Sequence, residues 1–517
     1  MLNKKMILCI TLLVISISSV FGQSRKVEGA NLVAKLVWLL RNAQNNGDYT
    51  IELAGNEAIG GQTLSFEGKT GITVRFTGAE REKTITLTDN SSLFTIESGV
   101  TLVLSKDITL RGHSNNNTAL VRINNGGTLV MNEGSKICNN KSCGVYVQER
   151  TNFTMNGGEI SDNNNCGVIM NGNAVFNMNG GKISSNTTSD YGAGVYVGQR
   201  GTFTMKGGEI SSNTIHGGYY DHSYGGGVYV NKQAIFTMSG GKISDNTATA
   251  GAICEGGGIF VENDFSMSGG EITGNLAYST GYFSNSWAHG GGVYVSGTFN
   301  MSGGKIYRNS VDHRSSSGGG VYARTFNMTG GEISGNTSSK SGAGVDVSTF
   351  TMSGNAVISG NTASESGGGV DASTFTMSGN AVISGNTAYK FGGGVYTGNF
   401  TISGNAVISG NTASESGGGV YLRENATLTM NGGEISGNTA SVSGGGVYGR
   451  TTKTRGIIYG YSEGDSKSNI VKNKSGIIQN NCGHAVFTSD SLRRESTARS
   501  DEALDSSKTG LVGGWGY

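Results

Sequence analysis

Three small groups of residues have the types and spacing to do chemistry. Asp346 and Asp371 hold the same place in neighbouring copies of a repeat. Paired carboxylates serve acid–base cleavage of glycosidic bonds. No Asp-Asp dipeptide occurs anywhere in the chain, and both residues stand where other copies carry an outward tyrosine. They read as a drifted ladder position, and no catalytic residue is assigned. Cys143 and Cys166 open the segments CGVYV and CGVIM, again one copy apart. Stacked coils put such residues about 4.8 Å apart, inside the Cα range of about 4.4 to 6.8 Å that a disulfide spans. They form a candidate bridge. Five cysteines remain beyond Cys9 and no Cys-x-x-Cys occurs, so neither a metal site nor a cofactor is expected.

The third group lies in segments that escape the repeat. Between an Asn turn and a Gly-Gly-Gly turn most copies carry about five residues. Four successive copies swell to TIHGGYYDHSY (214–224), TATAGAICE (247–255), LAYSTGYFSNSWAH (276–289) and SVDHRSSS (310–317). Leaving the same corner of four successive coils, these segments must be neighbours. Their candidate ligand contacts are Tyr219, Tyr220, Asp221 and His222 in the first, and Tyr282, Phe283, Trp287 and His289 in the third. Asp312, His313 and Arg314 in the last complete the set. Aromatic and Arg side chains are the usual anchors of binding energy, and such insertions are where a repeat scaffold carries function. The histidines would make affinity depend on pH near 6.5.

What positions these groups is the repeat. Its clearest copy is FNMTGGEISGNT, Phe326 to Thr337, preceded by Gly318 to Tyr322, GGGVY. The Phe element recurs at Phe153, Phe176, Phe203, Phe236, Phe265, Phe299, Phe326, Phe350, Phe375 and Phe400, with Leu428 in the next copy. Each copy holds three segments of period-two alternation, which means strand. Glycine pairs and triplets between them mean tight turns. Three strands and three turns in roughly 23 residues make one coil of a parallel β-helix.

Stacked coils place like residues over like. Phe, Met and the central Ile fill the interior. A second ladder runs from Asn140 to Asn438, three residues after that Ile, with amides able to bond along the stack. Tyr146, Tyr196, Tyr229, Tyr294, Tyr322, Tyr396, Tyr421 and Tyr448 make an outward stripe. The residue before the Ile runs Lys136, Glu159, Lys182, Glu209, Lys242, Glu271, Lys305, Glu332. Strict alternation turns each stacking contact into an attraction.

The fold class is therefore all-β: a right-handed parallel β-helix solenoid with an N-terminal amphipathic capping helix. With 88 Gly and no Pro among 517 residues, composition alone would suggest disorder, but the period overrides it. Residues 1–22 read as a signal peptide, Lys4 and Lys5 leading an apolar run from Met6 to Val20. Residues 23–47 carry the capping helix, with VEGANLVAKLVWLLRNAQN (27–45) as its amphipathic stretch. The β-helix follows over 48–490 and a C-terminal tail over 491–517. A net charge of +1 points to no nucleic-acid partner, and no transmembrane segment is expected once the signal is removed.

The GG(A/G)V and Ile-x-x-Asn repeats, over roughly residues 50–490, resemble those of bacterial polymorphic outer membrane proteins and, more broadly, the pectin-lyase-like β-helix superfamily. The resemblance implies adhesion or surface display. Two departures stand out: the polymorphic proteins carry Phe-x-x-Asn in the second half-motif, and they end in a membrane β-barrel that this sequence lacks. A self-anchoring autotransporter is thus not expected. No polygalacturonase-like, pectinesterase-like or pectate-lyase-like signature occurs. The expectation is a non-catalytic exported scaffold, cell-surface, outer membrane-associated or extracellular, binding a glycan or protein ligand through one loop face as an adhesin. A carbohydrate-active enzyme of the same fold and a purely structural envelope protein are the alternatives.

Overall fold

The computed structural model describes residues 24–508, except 283 and 491, together with residue 515. The signal-peptide segment and Phe283 lie outside the described residues. The chain winds into a parallel β-helix of about 17 turns. One coil shows how the repeat works: Val195–Val197, Thr202–Met205 and Glu209–Ser211 are its three strands. Each pairs in parallel with its counterparts one coil before and after, so Phe203 sits between Phe176 and Phe236, and Ile210 between Ile183 and Ile243. In later coils the first two strands merge into one bent strand, as in Val321–Met328 and Val345–Met352.

The interior follows from this register. Stacked phenylalanines stand 4.5 Å apart at Phe153–Phe176 and 4.7 Å at Phe375–Phe400, with no more than 1 % exposure at any of these rings. The Asn ladder is buried and continuous. Asn336 Nδ2 donates to Asn361 Oδ1 at 2.9 Å and to Ile306 O at 3.0 Å, while its backbone N–H donates to the same Asn361 oxygen. Each amide thus satisfies a turn that the strands leave open. The ladder extends past its expected ends, to Asn116 and Asn469. The Lys/Glu column is in register throughout. Lys136–Glu159 at 3.3 Å and Lys305–Glu332 at 3.5 Å close to ion-pair distance. At Glu332 the column meets Val357 and alternation stops.

Both ends differ from the middle. The N-terminal helix is Leu32–Asn42, shorter than the amphipathic stretch, because Asn31 caps it by accepting from Ala34 N–H and the chain turns extended at Ala43. Leu32, Leu36 and Leu39 join the main core, and Trp38 packs against it. The described residues after 490, in a segment read as a tail, fold back on the last coils. Arg493–Arg494 pairs antiparallel with Val486–Phe487, and Leu504–Asp505 with Thr452–Lys453. Trp515 is fully buried and donates from Nε1 to Asp505 O at 2.7 Å.

The largest departure lies at the swollen corner. The four long segments are not irregular loops. Thr214–His216, Thr247–Ala250, Leu276–Ser279 and Ser310–Asp312 pair in parallel with one another. So do His222–Tyr224, Ile253–Glu255, Trp287–His289 and Ser316–Ser317. Alternating small apolar residues make this possible: Ala250, Cys254, Ala277, Ala288 and Val311 form a second, small core. The result is a lobe built by the same stacking rule as the rod.

Candidate functional site

The lobe divides the candidate residues. Tyr219 and Tyr220 meet edge to face at 5.1 Å and are 55 % and 76 % exposed. With Tyr191, Tyr220, Asp221 and His222 line a shallow cavity of about 300 Å³. Tyr282 is 82 % exposed. Asp312 accepts from Ser339 Oγ at 2.8 Å. His313 is buried, its Nε2 3.0 Å from Gly281 O, and Arg314 donates to Tyr282 O. The last two hold the 276–289 segment in place. Trp287 and His289 lie elsewhere, in a cleft that the lobe shares with the rod.

That cleft, about 280 Å³, is lined by Ser284, Ser286, Trp287, His289, Ser315, Ser316, Ser317, Lys340, Ser341, Asp346 and Asp371. Its origin is the tyrosine stripe. Read by register, successive rungs carry Tyr294, Tyr322, Asp346, Asp371, Tyr396 and Tyr421. Rings stack at 5.0 Å between Tyr294 and Tyr322 and at 5.4 Å between Tyr396 and Tyr421. Between them two rungs carry only a short side chain. A neighbouring corner column runs Glu255, His289, Ser317, Ser341, Ser366, Phe391, so the same rungs have only serine there as well. Two adjacent columns thin together, and a notch opens. Gly367 lets the backbone turn under it: φ is 64°, and a Cβ would stand 2.7 Å from Val370 O.

The groups in the notch are few and specific. Asp371 is 7 % exposed and bonded to Arg423, whose guanidinium reaches back across the Tyr396 ring, 4.9 Å from its centroid. Asp346 is half-buried and faces Ser317, whose hydroxyl also lies 2.9 Å from His289 Nδ1. Burial pushes both carboxyls upward, and each carboxylate near the other adds to it for Asp371, while Arg423 opposes both. Burial lowers His289 to about 4, so its ring stays neutral where a pH response near 6.5 was expected of it. Glu255, next in that column, is pushed by burial up to about 7 although it accepts from Trp287 Nε1 at 3.0 Å. Lys340 begins a separate outer column that alternates with Glu365, Lys390 and Glu415.

Cys143 and Cys166 stand one above the other in a small apolar cluster with Ala119. They are thiols in this structure, and Cys166 Sγ points to Gly192 O at 2.8 Å. Burial pushes both thiols up. Sequence reasoning placed Trp287 and His289 at a site, set Asp346 and Asp371 aside as a drifted ladder position, and did not single out Glu255 or Arg423. Reading the tyrosine column rung by rung finds the two missing rings. The thinning of the second column needs the strand register of the corner. Among the described residues no helix is long and apolar enough to cross a membrane, and no three His, Cys, Asp or Glu residues gather to hold a metal. No protein-family model, curated protein or solved structure matches the chain.

Proposed function

We propose that the protein is an exported, non-catalytic scaffold of the adhesin kind, binding a ligand at the lobe and the notch beside it. One observation carries this reading. The exterior of the rod repeats from coil to coil, and the lobe with the notch beside it interrupts that repetition with aromatic and charged groups around two cavities. A periodic face offers one weak contact many times, whereas a single ligand is selected by groups that do not recur. The lobe has its own paired strands and core, so its side chains are held in place before a ligand arrives, which lowers the entropic cost of binding. The residues before Gln23 and the resemblance to surface-displayed repeat proteins support export. The test is a screen of the mature chain against a glycan array and a panel of matrix proteins. Binding that survives Tyr219→Ser, Tyr220→Ser and Asp346→Asn combined, in a folded chain, defeats the reading.

A second reading, a carbohydrate-active enzyme, draws on the Asp346–Asp371 pair. Their backbones are register partners, and retaining glycosidases hold two carboxyls about 5 to 5.5 Å apart. The tie of Asp371 to Arg423 argues against a free nucleophile. Release of reducing ends from a polysaccharide panel, abolished by Asp346→Asn, would establish it.

A further inference from the structure

We infer that the Asp346 rung of the notch is a guanidinium pocket, taking an arginine side chain of a partner protein between Asp346 and the face of Tyr322. The inference rests on the reading of this side as a binding face and names the chemistry it recognises.

The chain itself supplies the precedent. Tyr322 and Tyr396 are three rungs apart, about 14 Å at the coil spacing. At the ring spacing of this stripe that distance holds two flat groups. At one end Arg423 provides the first: its guanidinium lies 4.9 Å from the Tyr396 centroid and bonds to Asp371. The other end has the same two components in mirror order, an aromatic face and a carboxylate. Tyr294 and His289 both come from the preceding coil and stack on Tyr322 at 5.0 and 4.6 Å. The opposite face of Tyr322 therefore looks toward Asp346. Among the described residues Ser317 is the one donor of this chain at Asp346, and a carboxylate accepts several bonds.

Planarity favours guanidinium over ammonium. A guanidinium can lie flat on the ring and still present paired N–H groups to one carboxylate; a lysine head does one or the other. Ser341 and Ser317 on the flank accept the remaining N–H groups. Lys340 lines the rim of the cleft, and its backbone carbonyl accepts from Glu365 N–H at the head of the outer column. A pyranose would need broad apolar area; beside the one face of Tyr322 and Trp287 at the mouth, the notch is lined by two carboxylates and by serines.

The test uses the mature chain and N-acetylarginine amide, whose only charge is the guanidinium, followed by NMR titration. Saturable shifts are expected, with N-acetyllysine amide about tenfold weaker and Asp346→Asn about tenfold weaker than the parent. Tyr322→Phe should bind as the parent and Tyr322→Leu more weakly, which keeps the question answerable if Asp346→Asn misfolds. Equal binding of the two probes, undiminished binding by a folded Asp346→Asn, or no binding to the parent overturns the proposal. So does a methyl glycoside that shifts the notch resonances where the arginine probe does not. Tyr219→Ser with Tyr220→Ser leaves the notch intact. If arginine binding persists there while no partner depends on those tyrosines, the lobe reading fails alone; if a partner does depend on them and the arginine probe is silent, the pocket fails alone.

Discussion

The coils from residue 318 to 448 and those from 202 to 317 share three strands, one Phe stack and one Asn ladder. They differ at a single corner. In the later coils that corner is five residues long and carries a single column of mostly buried serine, interrupted by Phe391. In the earlier coils it carries an additional four-stranded parallel sheet, from His222–Tyr224 to Ser316–Ser317, and a core of its own, while the strand before it continues into the later coils as Thr337–Ser338 and Thr362–Ala363. The interior is thus indifferent to what the corner bears, because every interior contact runs along the stack and none depends on the corner's length. Stability and recognition are written in different residues of the same coil.

The comparison is broken most forcefully from the inside. Phe326→Ala removes a fully buried ring from the shared stack and should cost about 3 to 5 kcal/mol in denaturant unfolding. Ala288→Ser, in the lobe's small core, should cost far less while changing ligand affinity. Equal losses would mean that the lobe is integral to the rod. Asn336→Ala in a plain coil and Asn275→Ala in a lobed coil should each cost about 1 to 3 kcal/mol, since they leave Asn309 and Asn246, both buried, without the side-chain oxygen they donate to. A large difference between them would show that the lobe braces the ladder.

The notch gives a pH signature that plain coils lack. Asp346, Asp371 and Glu255 are raised by burial, so above 3.8 to 4.5 and below their folded values the native chain holds more protons than the unfolded chain. Stability must fall as pH rises through that window. His289 and His484 are lowered, and their opposite contribution ends near 6.5. Melting temperature should therefore fall between pH 6.5 and 8, and fall less in Asp346→Asn/Asp371→Asn. An identical slope in parent and variant would place the carboxylates in water. Lys305→Glu, which sets like charge over Glu271 and Glu332, should cost under about 1 kcal/mol, because these side chains are largely exposed. Smallest of all, the stacked Cys143 and Cys166, thiols in this structure, should close to a crosslink under oxidising conditions, recovered by non-reducing peptide mapping; complete alkylation of both after that treatment excludes it.

The rod was legible in the sequence because each inward position recurs, and a repeated Phe, Ile or Asn can only stack on itself. The lobe was legible as a cluster but not as sheets. TATAGAICE and LAYSTGYFSNSWAH differ in length and share no aligned motif, so their pairing appears only once the coils beneath them fix the register. The notch was half legible: the two aspartates were seen, but their meaning depends on serines in another column and on Arg423 two coils away. The closing of the C-terminal end was hidden by composition. Its segment is charged and serine-rich, and its pairing is antiparallel, against the rule of the rest.

Cutting all four long segments, 214–224, 247–255, 276–289 and 310–317, to the five-residue connection of the later coils asks most directly whether recognition is confined to that corner. Affinity of the trimmed chain for whichever ligand the glycan and matrix screen yields is the quantity to measure, with scattering and melting alongside. An elongated rod that melts like the parent and binds nothing is the predicted outcome. A trimmed rod, equally folded, that binds as tightly as the parent would contradict it and move the site to the repeating faces.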